Sequence, residues 1–396
     1  MVFLRIFKFV LATLILLIFI TSCQDDPTSL GKDFIGNDLE ILLLDSEIDS
    51  LNQNSGSFLA DSVSFGPSTR LVLGSVENRK STMLMRFGVL LPDSIRTAVQ
   101  DNNLNIISAE VELRPVYRIG DPGQTIDFTV HNITSDWGSN KFDKDSLAML
   151  TYDLEEVTQS KEISDSLIFF KVNSEIAFEW LEALIDTDLG NNYGMIFIPK
   201  PGINRAYGFR GFPQISNDNS PLLRYVVENE NNKIDTLIAR VVFDVHIVEG
   251  TPDPVDDDKF QLTAGLGERG KLFFDFNKLP NNAIINKAEL TLNVDSASSL
   301  VGNVVSDSLR VRLFSDSLTH EINTEYALDR IIFDGEQFKG DITKLVQAIN
   351  LGADNQGFRL VLGNEEESLD RYVLYGSDYS DKSFRPKLKI YYNLIR

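Results

Sequence analysis

The chain has 396 residues, with 58 acidic against 37 basic side chains, a formal net charge of −21 and a pI near 4.6. That balance excludes nucleic acid and anionic lipid headgroups as natural partners, and an apolar content of 43% excludes a disordered chain. A single cysteine excludes an internal disulfide, and the length leaves room for two domains.

The first element is a leader. Arg5 and Lys8 stand at its start, an uncharged apolar run extends from Phe9 to Ile20, and Thr21-Ser22 leads into Cys23. A basic start, an apolar run of about 7–15 residues and small residues at a cleavage point make a secretion signal. The run falls short of the roughly 20 residues that span a bilayer. Ile20-Thr21-Ser22-Cys23 resembles a bacterial lipobox, whose cysteine is acylated and becomes the mature N-terminus. The alternatives are an uncleaved anchor and a cleaved signal beside a bystander thiol. One acyl chain binds a membrane marginally, and two bind it stably. Gln24-Asp25-Asp26 resembles the surface-export signal of Bacteroidota lipoproteins. The expectation is an outer-membrane lipoprotein, with surface display favoured over a periplasm-facing anchor. The signal peptide covers 1–22; acylated Cys23, a polar tether and a first strand cover 23–55.

Beyond the tether, three segments recur in the same order. The first is Ser81-Thr-Met-Leu-Met-Arg-Phe87 with Leu91-Pro92 and then Ile106-Ile-Ser-Ala109-Glu-Val-Glu-Leu113. Its partner is Lys271-Leu-Phe-Phe-Asp-Phe276 with Leu279-Pro280 and then Ile284-Ile-Asn-Lys-Ala288-Glu-Leu-Thr-Leu292. The second is a short helical pattern followed by a glycine and a strand. Ile176, Trp180, Leu181 and Leu184 precede Gly194-Met-Ile-Phe-Ile198; Ile342, Leu345, Val346 and Ile349, with Asp341 as N-cap, precede Gly357-Phe-Arg-Leu-Val-Leu362. The third is a closing strand, Ser220-Pro-Leu-Leu-Arg-Tyr-Val-Val227 and Arg385-Pro-Lys-Leu-Lys-Ile-Tyr-Tyr392. A repeat this long implies two whole domains.

Between these anchors, apolar and polar residues alternate, as at Ile126, Phe128 and Val130 or Leu309, Val311 and Leu313. Such runs indicate antiparallel strands with one buried face. The expected fold is all-β: two tandem antiparallel β-sandwiches of jelly-roll type, each with one short helix. The first is expected over 56–228, a polar linker over 229–236 and the second over 237–396.

The order of these motifs, with Trp137 in Ile133-Thr-Ser-Asp-Trp137, resembles the DNRLRE-type jelly roll, a module related to carbohydrate-binding domains of secreted proteins. The second copy lacks a tryptophan. Cys23-Gln-Asp-Asp with Leu30-Gly31 and Ile35-Gly36 also resembles a group of Bacteroidota lipoproteins. The resemblance implies a glycan-binding role.

Catalytic patterns such as Gly-x-Ser-x-Gly and His-Glu-x-x-His are lacking. His131, His246 and His320 lie far apart in sequence. The densest acidic loop, with Asp253, Asp256, Asp257 and Asp258, offers oxygens of the kind calcium takes, although a solvated loop is the plainer reading. Matching the closing strands aligns Tyr207 with Tyr372 and Phe209 with Leu374, which places all four in cores. The opposite face carries Arg210 and Tyr375 beside Arg205 and Arg371, candidates for a glycan or acid-sugar contact together with Trp137. Trp137 and Trp180 also read as buried anchors. The expected function is a non-enzymatic envelope lipoprotein that binds polysaccharide. A structural or adhesion protein with an envelope-protein partner is the alternative, and a polysaccharide-degrading enzyme is a third. No cofactor other than calcium is implied.

Overall fold

The computed structural model describes residues 40–66, 68–186, 191–212 and 219–394; the leader and Cys23 lie outside them. Among the described residues the strands are β1 (Leu42–Asp45), β2 (Gln53–Leu59), β3 (Arg70–Val76), β4 (Arg79–Gly88), β5 (Leu104–Leu113), β6 (Tyr117–Gly120), β7 (Phe128–Ile133), β8 (Tyr152–Glu156), β9 (Thr158–Ile163), β10 (Ile168–Val172), β11 (Met195–Pro199) and β12 (Arg205–Arg210). They continue with β13 (Leu222–Asn229), β14 (Ile234–Gly250), β15 (Lys259–Thr263), β16 (Glu268–Phe274), β17 (Ala283–Asn293), β18 (Ser308–Asp316), β19 (Glu321–Ile322), β20 (Asp329–Phe333), β21 (Gln337–Asp341), β22 (Phe358–Leu362), β23 (Arg371–Tyr375) and β24 (Lys387–Leu394). The α-helices are α1 (Asp93–Gln100), α2 (Lys144–Met149), α3 (Ser174–Glu182) and α4 (Thr343–Asn350).

The fold is all-β. Strands β3–β14 form one 12-stranded antiparallel sheet, and β1, β2 and β15–β24 form another. Each encloses its own apolar cluster. The first contains Met83, Met85, Val111, Phe170, Trp180 and Tyr207; the second contains Leu262, Leu272, Leu290, Leu345, Leu360 and Tyr372. Tyr207, Phe209, Tyr372 and Leu374 are all fully buried, as their alignment requires.

The repeat extends to an irregularity. On β5 the inward set Leu104 and Ile106 changes phase to Ala109, Val111 and Leu113, and the ladder to β13 slips between Val226 and Val227. On β17 the set Ala283 and Ile285 changes phase to Ala288, Leu290 and Leu292, with the matching slip against β24. One extra residue flips the alternation, so each strand carries a β-bulge at the same place.

Helix α3 buries Trp180, whose indole N–H donates to Asn132 Oδ1 at 3.1 Å. Before α4, Asp341 Oδ1 accepts the Thr343 N–H at 2.7 Å, which satisfies one of the helix's free donors. The first sheet carries three helices where one was expected. Helix α1 fills the longer connection after Pro92, and α2 follows Asp143, whose carboxylate accepts the Ser146 N–H at 2.8 Å.

Strand partnership departs from the expected boundaries. The 17-residue β14 takes in the end of the expected linker, from Ile234, and the start of the expected second module. Its first half pairs with β13 and its second half with β4, both in the first sheet. Strands β1 and β2 precede β3 in the chain, yet β1 pairs with β24 and β2 with β16 in the second sheet. The two inserted segments are equivalent. Asp244 of β14 lies opposite Met85 and accepts the Phe212 N–H at 2.7 Å. Ser55 of β2 lies opposite Leu272 and accepts the Ser377 N–H at 2.8 Å. Each sheet is thus completed by the strand that precedes the other in sequence.

A third apolar cluster joins the sheets. The outer face of the first sheet contributes Val72, Leu84, Ile196, Val245 and Ile247; Phe65 and Phe142 cover it, and Leu266 and Leu369 reach it from the second sheet's loops.

Candidate functional site

The outer end of the second sheet builds an aromatic cluster. Tyr375 ends β23, on the face opposite buried Tyr372 and Leu374. A short 3-10 turn, Lys382–Phe384, then brings a second ring alongside. Asp381 starts this turn by accepting the Ser383 N–H at 2.9 Å. Asn293 holds the Phe384 carbonyl at 3.0 Å, and Arg385 Nε donates to the Tyr379 carbonyl at 2.6 Å. The ring centroids of Tyr375 and Tyr379 lie 4.5 Å apart, and those of Tyr375 and Phe384 4.9 Å apart. Phe384 is 41% exposed and both tyrosines are half-buried.

Lys259 stands over Tyr375, its ammonium 6.0 Å from the ring centroid. Hydrogen bonds to Asp256 at 2.9 Å and Asp295 at 3.0 Å hold this ammonium well above the ordinary lysine range. Apolar ring faces beside fixed polar groups suit the alternating C–H and hydroxyl faces of a sugar.

Of the residues expected to bind, Tyr375 alone sits in this cluster. Arg371 is tied to Glu77 across the junction between the sheets, Nη2 to Oε1 at 2.9 Å. Arg205 and Arg210 fall on opposite faces of β12 and do not act together. Arg205 is buried, stacks against Tyr207 and donates to the Gly120 carbonyl at 3.1 Å. Arg210 lines a crevice of about 30 Å³ with Phe212 and Arg240. Trp137 is half-buried and acts as an anchor: its indole N–H donates to the Tyr193 carbonyl at 2.7 Å, and its ring meets Phe142 edge-on. Trp180 is buried, as expected.

The acidic loop does not gather into a cation site. Asp253 accepts from Asn78 at 2.7 Å, Asp256 is paired with Lys259, and the main chain of Asp258 holds the Gly376 N–H at 2.8 Å. Asp257 is exposed. Among the described residues no group of three or more His, Cys, Asp or Glu is placed to hold a metal ion. This corrects the calcium expectation for Asp253, Asp256, Asp257 and Asp258: the carboxylates of Asp253 and Asp256 are taken by different partners, and the four do not converge on one point.

A polar network locks the sheets together instead. Tyr117, fully buried, donates to Asp370 Oδ1 at 2.8 Å and accepts the Leu369 N–H at 3.1 Å. Arg79, also buried, donates to the Leu369 carbonyl and to Glu77. Burial and the nearby Glu77 raise the Asp253 carboxyl above its usual range. His246 is buried without a hydrogen bond to its ring nitrogens, and burial pushes it down to about 3, so it stays neutral. Tyr117, Arg79, Asp370 and His246 are closed off from solvent and serve cohesion, with Glu77 at the rim.

Tyr379 and Phe384 were missed in the sequence because a ring in a loop before a closing strand has no periodicity. The Ser-Asp-Tyr and Asp-Lys-Ser-Phe turns around them were the available signal. No family model and no curated protein sequence matches the chain.

Proposed function

We propose that the chain is a non-enzymatic cell-envelope lipoprotein, held on the outer membrane by acyl chains on Cys23, whose β-sandwich units bind a glycan. The observation that carries the glycan reading is the cluster of Tyr375, Tyr379 and Phe384 beside Lys259. The resemblance of the repeats to carbohydrate-binding jelly rolls supports the same reading, and the lipobox-like leader supplies the compartment. The test is retention on a broad polysaccharide array, with and without calcium. A hit that weakens at least tenfold in Tyr375→Ala/Phe384→Ala supports the reading; no retention on any polymer removes it. Cys23→Ser is expected to leave the membrane fraction.

One observation favours a second reading, an assembly or adhesion protein. Among the described residues strand β1 ends the second sheet and pairs only with β24; Leu43 on it is 45% exposed and Ile41, just before it, 65%. An open apolar edge can take a strand from a partner. Self-association abolished by Leu43→Lys would favour it.

A further inference from the structure

The two sheets share a backbone frame but present opposite outer faces. Register makes the match. Met195 and Ile196 of β11 lie opposite Met85 and Leu84, while Phe358 and Arg359 of β22 lie opposite Leu272 and Lys271. On the far side, His131 lies opposite Ile196 and Arg312 opposite Arg359. The positions of Leu84, Ile196 and His131 are therefore occupied in the second sheet by Lys271, Arg359 and Arg312. In the first sheet all three are buried. In the second they are half-buried, and an open cavity of about 250 Å³ lies there, lined by Arg269, Arg310, Arg312, Arg359, Glu365 and Glu366.

Two of these guanidinium groups are committed. Arg269 holds Glu365 with two parallel bonds of 2.7 and 2.8 Å, and Arg310 holds Glu366 at 3.1 Å. Arg312 and Arg359 form no ion pair among the described residues, and Arg359 Nε is buried without a partner. The two stand directly opposite across an antiparallel ladder, so their Cα atoms are about 5 Å apart. Burial and the cationic neighbours Arg269, Arg312 and Arg310 push Arg359 down to about 10, which leaves it charged at neutral pH. Two free forks this close match one group with two oxygens and a single negative charge.

The rest of the cavity is apolar. Ile322, Leu328 and Val361 line it. Beside it, Phe58, opposite Arg269, stacks on His320 with centroids 3.9 Å apart. The volume lies below the ~300–1,000 Å³ of drug-sized pockets and suits one sugar unit. The net charge of −21 opposes the approach of any polyanion, so the attraction has to come locally from the arginine cluster.

We propose that the cavity between Arg269, Arg310, Arg312 and Arg359 is a binding site for the carboxylate of a uronate unit in an acidic glycan. This rests on the glycan reading above and gives it a ligand class and a second site.

The test uses the leaderless chain with polygalacturonate, alginate and glucuronan, each also in its carboxyl-reduced, neutral form. The expected result is that at least one acidic polymer binds, that its reduced form binds at least tenfold more weakly, and that binding weakens with salt. Arg312→Gln/Arg359→Gln is expected to lose at least tenfold on the acidic polymer, with an unchanged or raised melting temperature because neither arginine holds up a partner. Equal binding of acidic and reduced forms, or equal binding by the double variant, overturns the site while the glycan reading stands. Retention of neutral glycans alone, lost in Tyr375→Ala/Phe384→Ala, does the same. No binding of any acidic or neutral polymer overturns both.

Discussion

The outer face of the first sheet is an interior, and that of the second is a surface. Leu84 and Ile196 lie under Phe65, Phe142 and two leucines from the other sheet; of their counterparts, Arg359 lines the open arginine cavity and Lys271 lines a separate one. One backbone frame serves both uses because strand pairing consumes only main-chain groups and the inward side chains. The outward set is left free to differ. In this molecule one copy spends that freedom on cohesion, and the other leaves it open to solvent.

The sharpest way to break the contrast is to exchange its chemistry. Leu84→Arg places an unpaired guanidinium in the covered cluster, which costs about 3–5 kcal/mol or more. That is a large share of the ~5–15 kcal/mol that holds an ordinary domain. Denaturant unfolding is expected to show loss of the cooperative transition or a much lower midpoint; a near-normal midpoint would mean that the face is not sealed.

The matched contacts of Asp244 and Ser55 give the next test. Burial raises Asp244 to about 7, where its counterpart Ser55 is neutral. The folded chain therefore keeps a proton that the unfolded chain releases near pH 4. Below that pH the two states bind alike; stability then falls as pH rises, and the whole loss, on the order of 4 kcal/mol, is present above pH 7. Asp244→Asn keeps the acceptor for the Phe212 N–H. It is expected to raise the melting temperature at pH 8 and to leave it nearly unchanged at pH 4. A gain of equal size at both values would contradict the assignment.

Tyr117→Phe removes one donor and one acceptor at the junction and should cost about 1–3 kcal/mol. Chemical denaturation is expected to show a lowered midpoint; an unchanged midpoint would mean that Tyr117 does not couple the sheets. The smallest effect is expected from Arg359→Gln alone, within ~0.5 kcal/mol and towards greater stability. A loss beyond 1 kcal/mol would assign Arg359 to the framework.

Much of this architecture was legible in the chain. Leu104, Ile106 and Ala109 record the bulge as a phase change in an alternating pattern, and Ile285 and Ala288 repeat it. Tyr207 and Tyr372 announced themselves as core residues because two copies agreed. The exchange of strands was not legible. Alternation in β14 or β2 says which side chains face inward, and it is silent about which neighbour accepts the main-chain bonds. The cationic cavity was hidden for a related reason. Arg269, Arg310, Arg312 and Arg359 come from three strands spread over some ninety residues. Arg310, Arg312 and Arg359 alternate with core residues, and each of the four reads, one strand at a time, as part of an ordinary solvated face.

The pairing of β1 with β24 also sets how the molecule would carry a pull. Strand β1, the first of the described strands, lies at the edge of the second sheet. If a membrane tether lies on that side, tension on a ligand held by the second sheet runs to the tether through one ladder, without crossing the first sheet at all. The first sheet, though earlier in sequence, would hang beside the line of force as a side load, and rupture would begin at the four residue pairs from Leu42 with Tyr392 to Asp45 with Lys389.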